Sequence, residues 1–536
     1  MPASVLIPAA GLGERISRFS LGFPKPLLTY GGWPIISHIV RQYASEEIVI
    51  GVGHGADLIR QTVELLHSKD VASGRIRLFE TTSHLDGRGL RGTLLDAESS
   101  VTNEQLIFHA VDTLVPTWRP EQRQELLGME RPTAVAARVK FPGDYRVITE
   151  SNCIGERRWT RRGDLAYAGL STFPSTSAFF DSLKKDETAT ESEVLQDLGA
   201  QVLELDGWSW IDCGNPAELE AFSNQERHIA NVLPKFGEVL WIDDEQMMCV
   251  VKGSLDANFI KERTRRASQE LAGFVPEILS ESKNFYSYRF CEGETLASLL
   301  DEDEADLSAL RDFLQEFWGK IDPNPLFDGE WEEFYRGKTE SRLLKVPSEY
   351  RAQERTINGI FCPSIDSLVE AVNWAEFARI RTARVHGDLH PENILVSESG
   401  ITLLDWRQGF DRAVAQDFRY DLFKLLHGSL LRHESISNGD FELAQGASGT
   451  LLKIDRGPQY VELGKMALEI CEEHGVRTDE LLLGTGLIFL NIAPLHDPPE
   501  YSLWLMHLGQ FLASMALSDH ATSHNTFLRI LQLEEF

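Results

Sequence analysis

HGDLHPENILVSESGITLLDW, residues 386–406, is the stretch on which the reading of this 536-residue chain turns. Within it Asp388 and Asn393 stand five residues apart, and Asp405 follows twelve residues later at the end of the apolar run ITLL. A hairpin-like loop would bring these three oxygen-bearing groups together. Phosphoryl transfer needs such a cluster, because one carboxylate orients the attacking hydroxyl while an Asn and a second Asp hold Mg²⁺ on the phosphates. The pattern H-x-D-x-x-x-x-N alone is a modest signal. Followed by a strand that ends in Asp-Trp, it points to phosphotransfer from ATP-Mg²⁺.

Working outward, the chain is too long for one hydrophobic core, and two domains are expected. Apolar content of 42% and charged content of 25% are those of a globular protein with ample core material. The net charge of −30 repels phosphate backbones and anionic lipid, which excludes nucleic acid and the membrane surface as expected partners. Bound nucleotides must then be held by local donors and metal ions. Six scattered cysteines without a C-x-x-C pair read as reduced thiols of a cytoplasmic protein. The N-terminal MPASVLIPAAG lacks the features of an export signal. The apolar run Leu481–Leu495, interrupted by Gly, Thr and Asn, reads as a buried helix.

From Ser4 to about Phe222, short β-branched runs alternate with helical stretches. SVLIPAA, EEIVIGVG, IRLFETT, QLIFHAV and TAVAARV read as strands of a mostly parallel sheet in an α/β architecture. After Val239 the character changes. VLWIDD and QMMCVVKG read as a hairpin turning at Asp243-Asp244, followed by a largely helical region, which suits an α+β domain. Asn215-Pro216 is a good helix start, and the joint is expected shortly after it, without a flexible tract. The expected domains are 1–228 and 229–536.

The segment 386–406 resembles the aminoglycoside phosphotransferase and choline kinase superfamily, whose motif HGDxxxxN, strand and D-[WFY] is matched by His386, Gly387, Asp388, Asn393, Asp405 and Trp406. QDFRYDLFKLLHG looks like the helix that follows the metal Asp there. The resemblance implies a bilobal, protein-kinase-like domain with Asp388 as catalytic base or orienter and Asn393 and Asp405 as Mg²⁺ ligands. Such a kinase needs a strand lysine for the ATP phosphates, paired with a helix glutamate. Lys252 fits the first role. Glu262 is chosen for the second, with Glu270 on the same expected helix as its rival. FYSYRFCEGETLASLL is the expected hinge that meets adenine, and KFG at Lys235–Gly237 is the one candidate phosphate loop. In EFYRGKTESRLL, residues Tyr335, Lys338 and Arg342 share a helix face, either a solvated surface or the lining of an acceptor pocket for a polar or anionic substrate.

Near the N-terminus, VLIPAA opens into GLGERISRFSLGFPKPLL, with Gly11, Gly13, Arg15, Lys25 and Pro26. Glycines after a strand let backbone N–H groups approach phosphates, and Arg and Lys neutralise charge developing at the α-phosphate. The G-x-G-x-x-G of dinucleotide binding fails at Ile16. This segment is similar to the sugar-phosphate nucleotidyltransferases, whose signature runs [AG]-G-x-G-[TS]-R and then P-K-x-[LM]. The resemblance implies a Rossmann-like domain in which Arg15 and Lys25 are catalytic and Gly11, Gly13, Gly89 and Gly92 contact the nucleotide. It also implies that Asp112 in HAVDTLV and Asp212 in WSWIDCGNPAELEAF hold Mg²⁺, and that Gly169 lies on an acceptor-side strand. Glu14 and Val111 depart from the pattern.

A kinase makes a phosphomonoester and a nucleotidyltransferase consumes one. The expected function is therefore bifunctional: ATP phosphorylates a small alcohol or sugar, and a second nucleoside triphosphate, CTP or UTP, converts the product to an NDP-activated metabolite for cell-surface polysaccharide or headgroup synthesis. Two alternatives stay open. In one the substrate is of the choline or ethanolamine type, with Trp208, Trp210, Tyr167 and Phe173 as an aromatic cage, although core packing is the commoner use of such rings. In the other, one half is a non-catalytic nucleotide-sensing module. The expected partners are nucleotides and the small-molecule substrate, with a homo-oligomer allowed.

Overall fold

A computed structural model describes residues 2–43, 45–116, 118, 120–205, 210–226, 235–243, 248–410, 415–432, 441–446, 449–454, 457–496 and 499–518. Asp244 and Trp208 lie outside the described residues. The chain separates into two compact units, Met1–Ile260 with Ile278–Phe290, and Lys261–Glu277 with Cys291–Phe536.

In the first unit Ala3–Ala9 (β1), Glu47–Val52 (β2), Ile76–Glu80 (β3) and Gln105–His109 (β4) lie parallel in the order β3-β2-β1-β4. Strands β1, β2 and β4 carry long apolar runs because strands covered on both faces have no solvent side, whereas β3, at the edge of the sheet, carries Arg77 and Glu80. Successive side chains supply two cores. Val5, Ile7, Ile48, Ile50 and Ile107 enter one, and Leu6, Val49, Leu106 and Phe108 enter the other. Helices Ile35–Gln42 (α1), Ala56–Leu66 (α2) and Gly89–Asp96 (α3) connect these strands.

Past β4 come Thr113–Leu114 (β5), Thr133–Arg138 (β6), Gly143–Ile148 (β7), Ile154–Thr160 (β8), Leu165–Phe173 (β9), Gln201–Glu204 (β10) and Ile211–Asp212 (β11). Strand β9 runs antiparallel to β4, β6 and β7, β8 extends β7 as a hairpin, and β10 pairs parallel with β6. The sheet is thus parallel on the β1 side and antiparallel beyond β4. Strands β5 and β11 form a separate short ladder, with Asp212 opposite Thr113. Helix Pro216–Glu226 (α4) follows the Asn215-Pro216 start.

Glu238–Asp243 (β12), Cys249–Ser254 (β13), Ile278–Glu281 (β14) and Phe285–Arg289 (β15) make a four-stranded antiparallel sheet in the order β12-β13-β15-β14. The expected hairpin is β12–β13. Although this sheet follows residue 228, it packs within the first unit. Trp241, Val251 and Phe285 are fully buried in the same core as Val5 and Ile7. The Trp241 indole stacks on Phe285 at 5.5 Å and donates to the Thr29 hydroxyl at 3.0 Å. Asn284 exchanges two hydrogen bonds with Gln61 of α2, and Arg41 of α1 pairs with Asp243.

The second unit carries most of helix Ala257–Ser268 (α5), then Gly329–Leu343 (α6), the ladder of Ile394–Ser397 (β16) with Gly400–Leu403 (β17), and helices Phe418–Ser429 (α7), Pro458–Glu473 (α8), Thr478–Ile492 (α9) and Pro499–Ala516 (α10). Among the described residues one segment, Thr478–Leu495, is long and apolar enough to cross a membrane, and 67% of it is buried within the protein. Gly486 and Gly509 let α9 and α10 meet backbone to backbone, since a Cβ on Gly486 would sit 2.9 Å from the Ala513 nitrogen.

Trp241→Ala empties a fully buried site and removes the bond to Thr29. It should destabilise the first unit by about 3–5 kcal/mol. Denaturant unfolding followed by fluorescence measures this, with Ile242→Ala, 39% exposed, as the nearly neutral control.

Candidate functional site

In the first unit the residues singled out from sequence meet at the C-terminal edge of the parallel strands, where open α/β sheets bind ligands. Gly11 and Gly13 follow β1. Gly13, at φ 68°, starts the short 3₁₀ turn Glu14–Ile16 that carries exposed Arg15, and Lys25 begins a second such turn. Asp112 lies between β4 and β5, and the β5–β11 ladder brings Asp212 beside it across a hundred residues of chain. The Cys213 amide donates to the Asp112 carbonyl at 2.8 Å.

Gly214 marks the meeting point. A Cβ added there would lie 2.8 Å from Asp112 Oδ2, 2.9 Å from Asp212 Oδ1 and 3.1 Å from Lys25 Nζ, so two carboxylates and an ammonium converge where only glycine fits. Lys25 pairs directly with Asp112. Burial opposes ionisation of Asp112, but the Lys25 charge and hydrogen bond, helped by Arg15, hold its pKa below the ordinary value. Asp212 is pushed up by burial and by the charge of Asp112. It accepts from the Tyr145 hydroxyl at 2.7 Å and the Gly214 amide at 2.7 Å. Two facing carboxylates, one disfavoured by the other's charge, suit a divalent cation. Mg²⁺ takes one or two protein carboxylates and completes its shell with phosphate and water.

Helix α3 starts at Gly89, and the loop before it folds back through a Ser83–Thr93 hydroxyl bond of 2.6 Å. This loop reaches the β1 edge, because a Cβ on Gly53 would touch His84 Nδ1 at 2.6 Å and Ala10 Cβ at 2.9 Å. Gly92 packs under Ser83 and Arg88. Gly169, at φ 76°, abuts Ala110 and Thr113. Tyr167 and Phe173 are buried in one core and Trp210 in the other, so these rings are interior packing. Tyr145, Gly214 and Asn215, whose amide donates to the Tyr145 hydroxyl at 2.9 Å, escaped the sequence reading as site residues. The Asp-Cys-Gly-Asn-Pro run was the available signal for the last two.

In the second unit the segment 386–406 forms a loop and the ladder β16–β17, in which Ile394 faces Leu403. The Leu404 amide donates to the Asn393 carbonyl at 2.8 Å, which puts Asn393 beside the start of Asp405. The Asn393 amide donates to the Asp388 carbonyl at 2.9 Å. Buried His386 lies in the field of both Asp388 and Asp405. The loop is fixed by buried Asp421 of α7, which accepts from the His386 amide at 2.8 Å and the Gly387 amide at 2.7 Å. Gly387, at φ 91°, leaves no room for a Cβ, which would sit 2.7 Å from Arg407 Cβ.

Lys424 of α7, unassigned from sequence, pairs with Asp388 Oδ1 at 2.7 Å. His390 lies 3.7 Å from Asp388 Oδ2 and 2.5 Å from Glu392. Burial works against an ionised Asp388, yet Lys424 and His390 hold its pKa well below the usual carboxylate range. Asp388 is therefore a carboxylate at neutral pH, with its side chain about a third exposed. Asp405, at φ 54°, pairs with Arg263 of α5 at 2.5 Å. Neighbouring Arg266 is wholly buried and donates to the carbonyls of Val385 and Arg407. An Asn oxygen beside an Asp held at positive φ is an oxygen donor set that suits Mg²⁺ on phosphates.

Lys252 stands on β13 of the first unit, facing Leu240 and Tyr286 across the sheet. Glu262 belongs to the second unit and pairs with Arg265 on its own helix at 2.8 Å. Glu270 holds Arg265 and Arg266, and accepts from Gln416 at 2.7 Å. Gly237, the end of the KFG segment, donates its amide to the Leu21 carbonyl.

Residues 254–448 match the family model described as phosphotransferase enzyme family. The chain is 29% identical over 116 residues to the CMP-5′-(3-aminopropyl)phosphonate synthase of Streptomyces rubellomurinus, covering 20% of this chain and 18% of that protein. It is 25% identical over 232 residues to the mannose-1-phosphate guanyltransferase of Yarrowia lipolytica, covering 40% of this chain and 61% of that one. The chain thus spans less than two thirds of either curated relative. Among solved structures, the CTP:phosphocholine cytidylyltransferase from Streptococcus pneumoniae is similar over 43% of this chain and 100% of its own, with 16% identity and a TM-score of 0.33. The chain thus combines a region similar to nucleotidyltransferases with a C-terminal segment, residues 254–448, that matches the phosphotransferase family model.

His109, at the end of β4, supports the Asp112 turn. Its Nδ1 meets the Tyr43 hydroxyl at 2.7 Å and its Nε2 meets the Thr113 carbonyl at 2.9 Å. Burial pulls its pKa down to about 4, and that of buried His67 also to about 4. The unfolded chain protonates both near 6.5, so between pH 6.5 and 4 it binds more protons than the folded one. Stability therefore falls as pH drops through that window, by about 2 kcal/mol per histidine between pH 7 and 5. Denaturant titrations at the two pH values measure the loss, and His109→Gln should reduce the pH dependence.

Proposed function

We propose that the chain catalyses two consecutive reactions: ATP-dependent phosphorylation of a small alcohol or sugar around Asp388, and transfer of a nucleotidyl group from a second nucleoside triphosphate onto the product around Asp112 and Asp212. The observation that carries this reading is that each unit holds its own partly buried carboxylate paired with a lysine, Asp112 with Lys25 and Asp388 with Lys424. One site of this kind would support a single transferase. Two support a sequence in which the first makes the phosphomonoester that the second consumes.

At the first-step site, ionised Asp388 accepts the hydrogen bond of the substrate hydroxyl and takes its proton as the γ-phosphoryl group is transferred. Lys424 and His390 keep Asp388 ionised for this role. Asn393 and Asp405 would hold Mg²⁺, which neutralises phosphate charge. Lys252 is assigned to the ATP phosphates. At the second site Lys25 and Arg15 stabilise charge at the α-phosphorus as a phosphate oxygen attacks it in line and pyrophosphate leaves. Asp112 and Asp212 would hold Mg²⁺ there, and Tyr145 orients Asp212 through its hydroxyl. The backbone around Gly11 and Gly13 approaches the phosphates, and the loop at Gly89 and Gly92 borders the base.

The cytidine monophosphate in one relative's name and the guanyl group in the other's support nucleotidyl transfer, and the former favours CTP. The product is assigned to cell-surface polysaccharide or headgroup synthesis in the cytoplasm. The interior position of Tyr167, Phe173 and Trp210 disfavours the aromatic-cage version of a choline substrate.

Asp388→Asn should lower ATP-dependent phosphorylation at least about a hundredfold and leave pyrophosphate release from a supplied phosphomonoester intact. Asp112→Asn should do the reverse. Parallel assays of ADP and pyrophosphate measure both, and loss of both activities in either folded variant contradicts two independent sites.

A further inference from the structure

The second unit contains an open cleft of about 550 Å³ on one face of α6, lined by Lys338, Ser341, Arg342, Lys345, Arg407 and one carboxylate, Glu333. Lys338, Ser341, Arg342 and Lys345 recur at three- and four-residue spacing, which places them on one side of the helix and its continuation. Arg407 enters from the segment just after Asp405-Trp406. Among the described residues none of these four cations forms an ion pair with a carboxylate. In a protein of charge −30, four cations against one acid is a local inversion of the overall field.

The bland account is that basic residues near a helix C-terminus complement its dipole. That covers Arg342 and Lys345. It does not cover Lys338, in mid-helix, or Arg407, on another segment. Lys338 donates to the Tyr420 hydroxyl at 3.2 Å, and its ammonium and the Arg407 guanidinium both lie 5.1 Å from the centre of the Phe334 ring. Burial acts to raise the Tyr420 pKa, but Lys338, Arg407 and Lys424 together pull it below the ordinary value, so the field in the cleft is positive.

The cleft is linked to the candidate catalytic loop through the side chains that line it, Lys338 by its bond to Tyr420 and Arg407 by its packing beside Gly387. Tyr420 and Lys424 are one turn apart on α7, about 6 Å along the axis, and Lys424 reaches Asp388 at 2.7 Å. Arg407 packs directly on Gly387, the residue before Asp388. An anion seated among Lys338, Arg342, Lys345 and Arg407 would lie on the side of α6 that faces Tyr420, one helical turn from the lysine that pairs with Asp388.

We propose that the phosphoacceptor of the second unit is a small alcohol carrying an anionic group, a phosphate, phosphonate or carboxylate, which this cleft binds. The inference rests on the kinase reading above. In the reaction the acceptor oxygen forms a bond to the γ-phosphorus of ATP. The bond from that phosphorus to the β,γ-bridging oxygen breaks, its electron pair leaves with ADP, and the hydroxyl proton passes to Asp388 and then to water. A cationic amino alcohol would meet four like charges, which disfavours it by repulsion and by loss of solvent.

The test uses the full-length protein, ATP and Mg²⁺, with a small-metabolite extract split on an anion-exchange column. Asp388-dependent ADP release is expected with the retained fraction. Pure 2-hydroxyethylphosphonate, glycerol 3-phosphate and glycerate then separate the three anion types. The double variant Arg342→Gln/Lys345→Gln should raise the half-saturating amount of the active acceptor at least tenfold with kcat within about threefold, and Arg342→Lys should retain most of the affinity. In a second measurement that needs no turnover, ³¹P line broadening of 2-hydroxyethylphosphonate by the protein should be lost in the double variant. Asp388-dependent ADP release with the unretained fraction or with choline, insensitive to the double variant, overturns the inference and leaves the kinase reading standing. Absence of Asp388-dependent ADP release with every fraction, while ³¹P broadening still requires Arg342 and Lys345, overturns the kinase reading and the acceptor role with it.

Discussion

Taking a carboxylate even partly out of water is unfavourable unless a cation comes with it, and this chain meets that constraint at both of its candidate sites. Lys25 is brought to Asp112 and Lys424 to Asp388, each from a different element of its unit. Much of the surrounding architecture delivers those pairs. The parallel strands set the loop that ends in Lys25 against the turn that carries Asp112, and the β5–β11 ladder adds Asp212. In the second unit α7 presents Lys424 to Asp388 and, one turn earlier, Asp421 to the backbone of His386 and Gly387. A single helix thus both shapes the loop and sets the charge of its carboxylate.

What the sequence made legible is what local spacing encodes. The Asp388, Asn393 and Asp405 series, the Gly11 to Lys25 loop and the strands that became β1 to β4 and β6 are all contained in short runs with clear periodicity. The β7–β8 hairpin was illegible because charged residues interrupt the apolar pattern of both strands, GDYRVI and IGERRWT, and Trp159 itself is 69% exposed. The partners of the site residues were illegible for another reason. Lys424 finds Asp388 across 36 residues, Arg263 finds Asp405 across 142, and Tyr145 finds Asp212 across 67. Such pairings follow from tertiary packing and leave no mark on local pattern.

The joint between the halves shows the same limit. Sequence character changes after Val239, but the hydrophobic core does not. Trp241 and Phe285 lie far along the chain from Val5 and Ile7 and still share their core. The small sheet that bears Lys252 is therefore held by the first unit's packing, through Trp241, Asn284 and Asp243, while Glu262 and Glu270 belong to the second. Overall charge also misleads as a guide to a site. At −30 the protein repels anions at long range, yet Lys338, Arg342, Lys345 and Arg407 make one cleft that attracts them, because short-range geometry outweighs a field screened within about 8–10 Å.

The central claim is that the two sites act in sequence on one substrate. The most direct measurement incubates the protein with ATP carrying ¹⁸O in its γ-phosphoryl group, unlabelled CTP or UTP, and a small-metabolite extract. Mass spectrometry then locates the label. The account predicts ¹⁸O in the phosphorus of the nucleotide-activated product that is bonded to the acceptor, with unlabelled pyrophosphate. A nucleotide-activated product free of label, formed while labelled phosphomonoester accumulates unused, would contradict it.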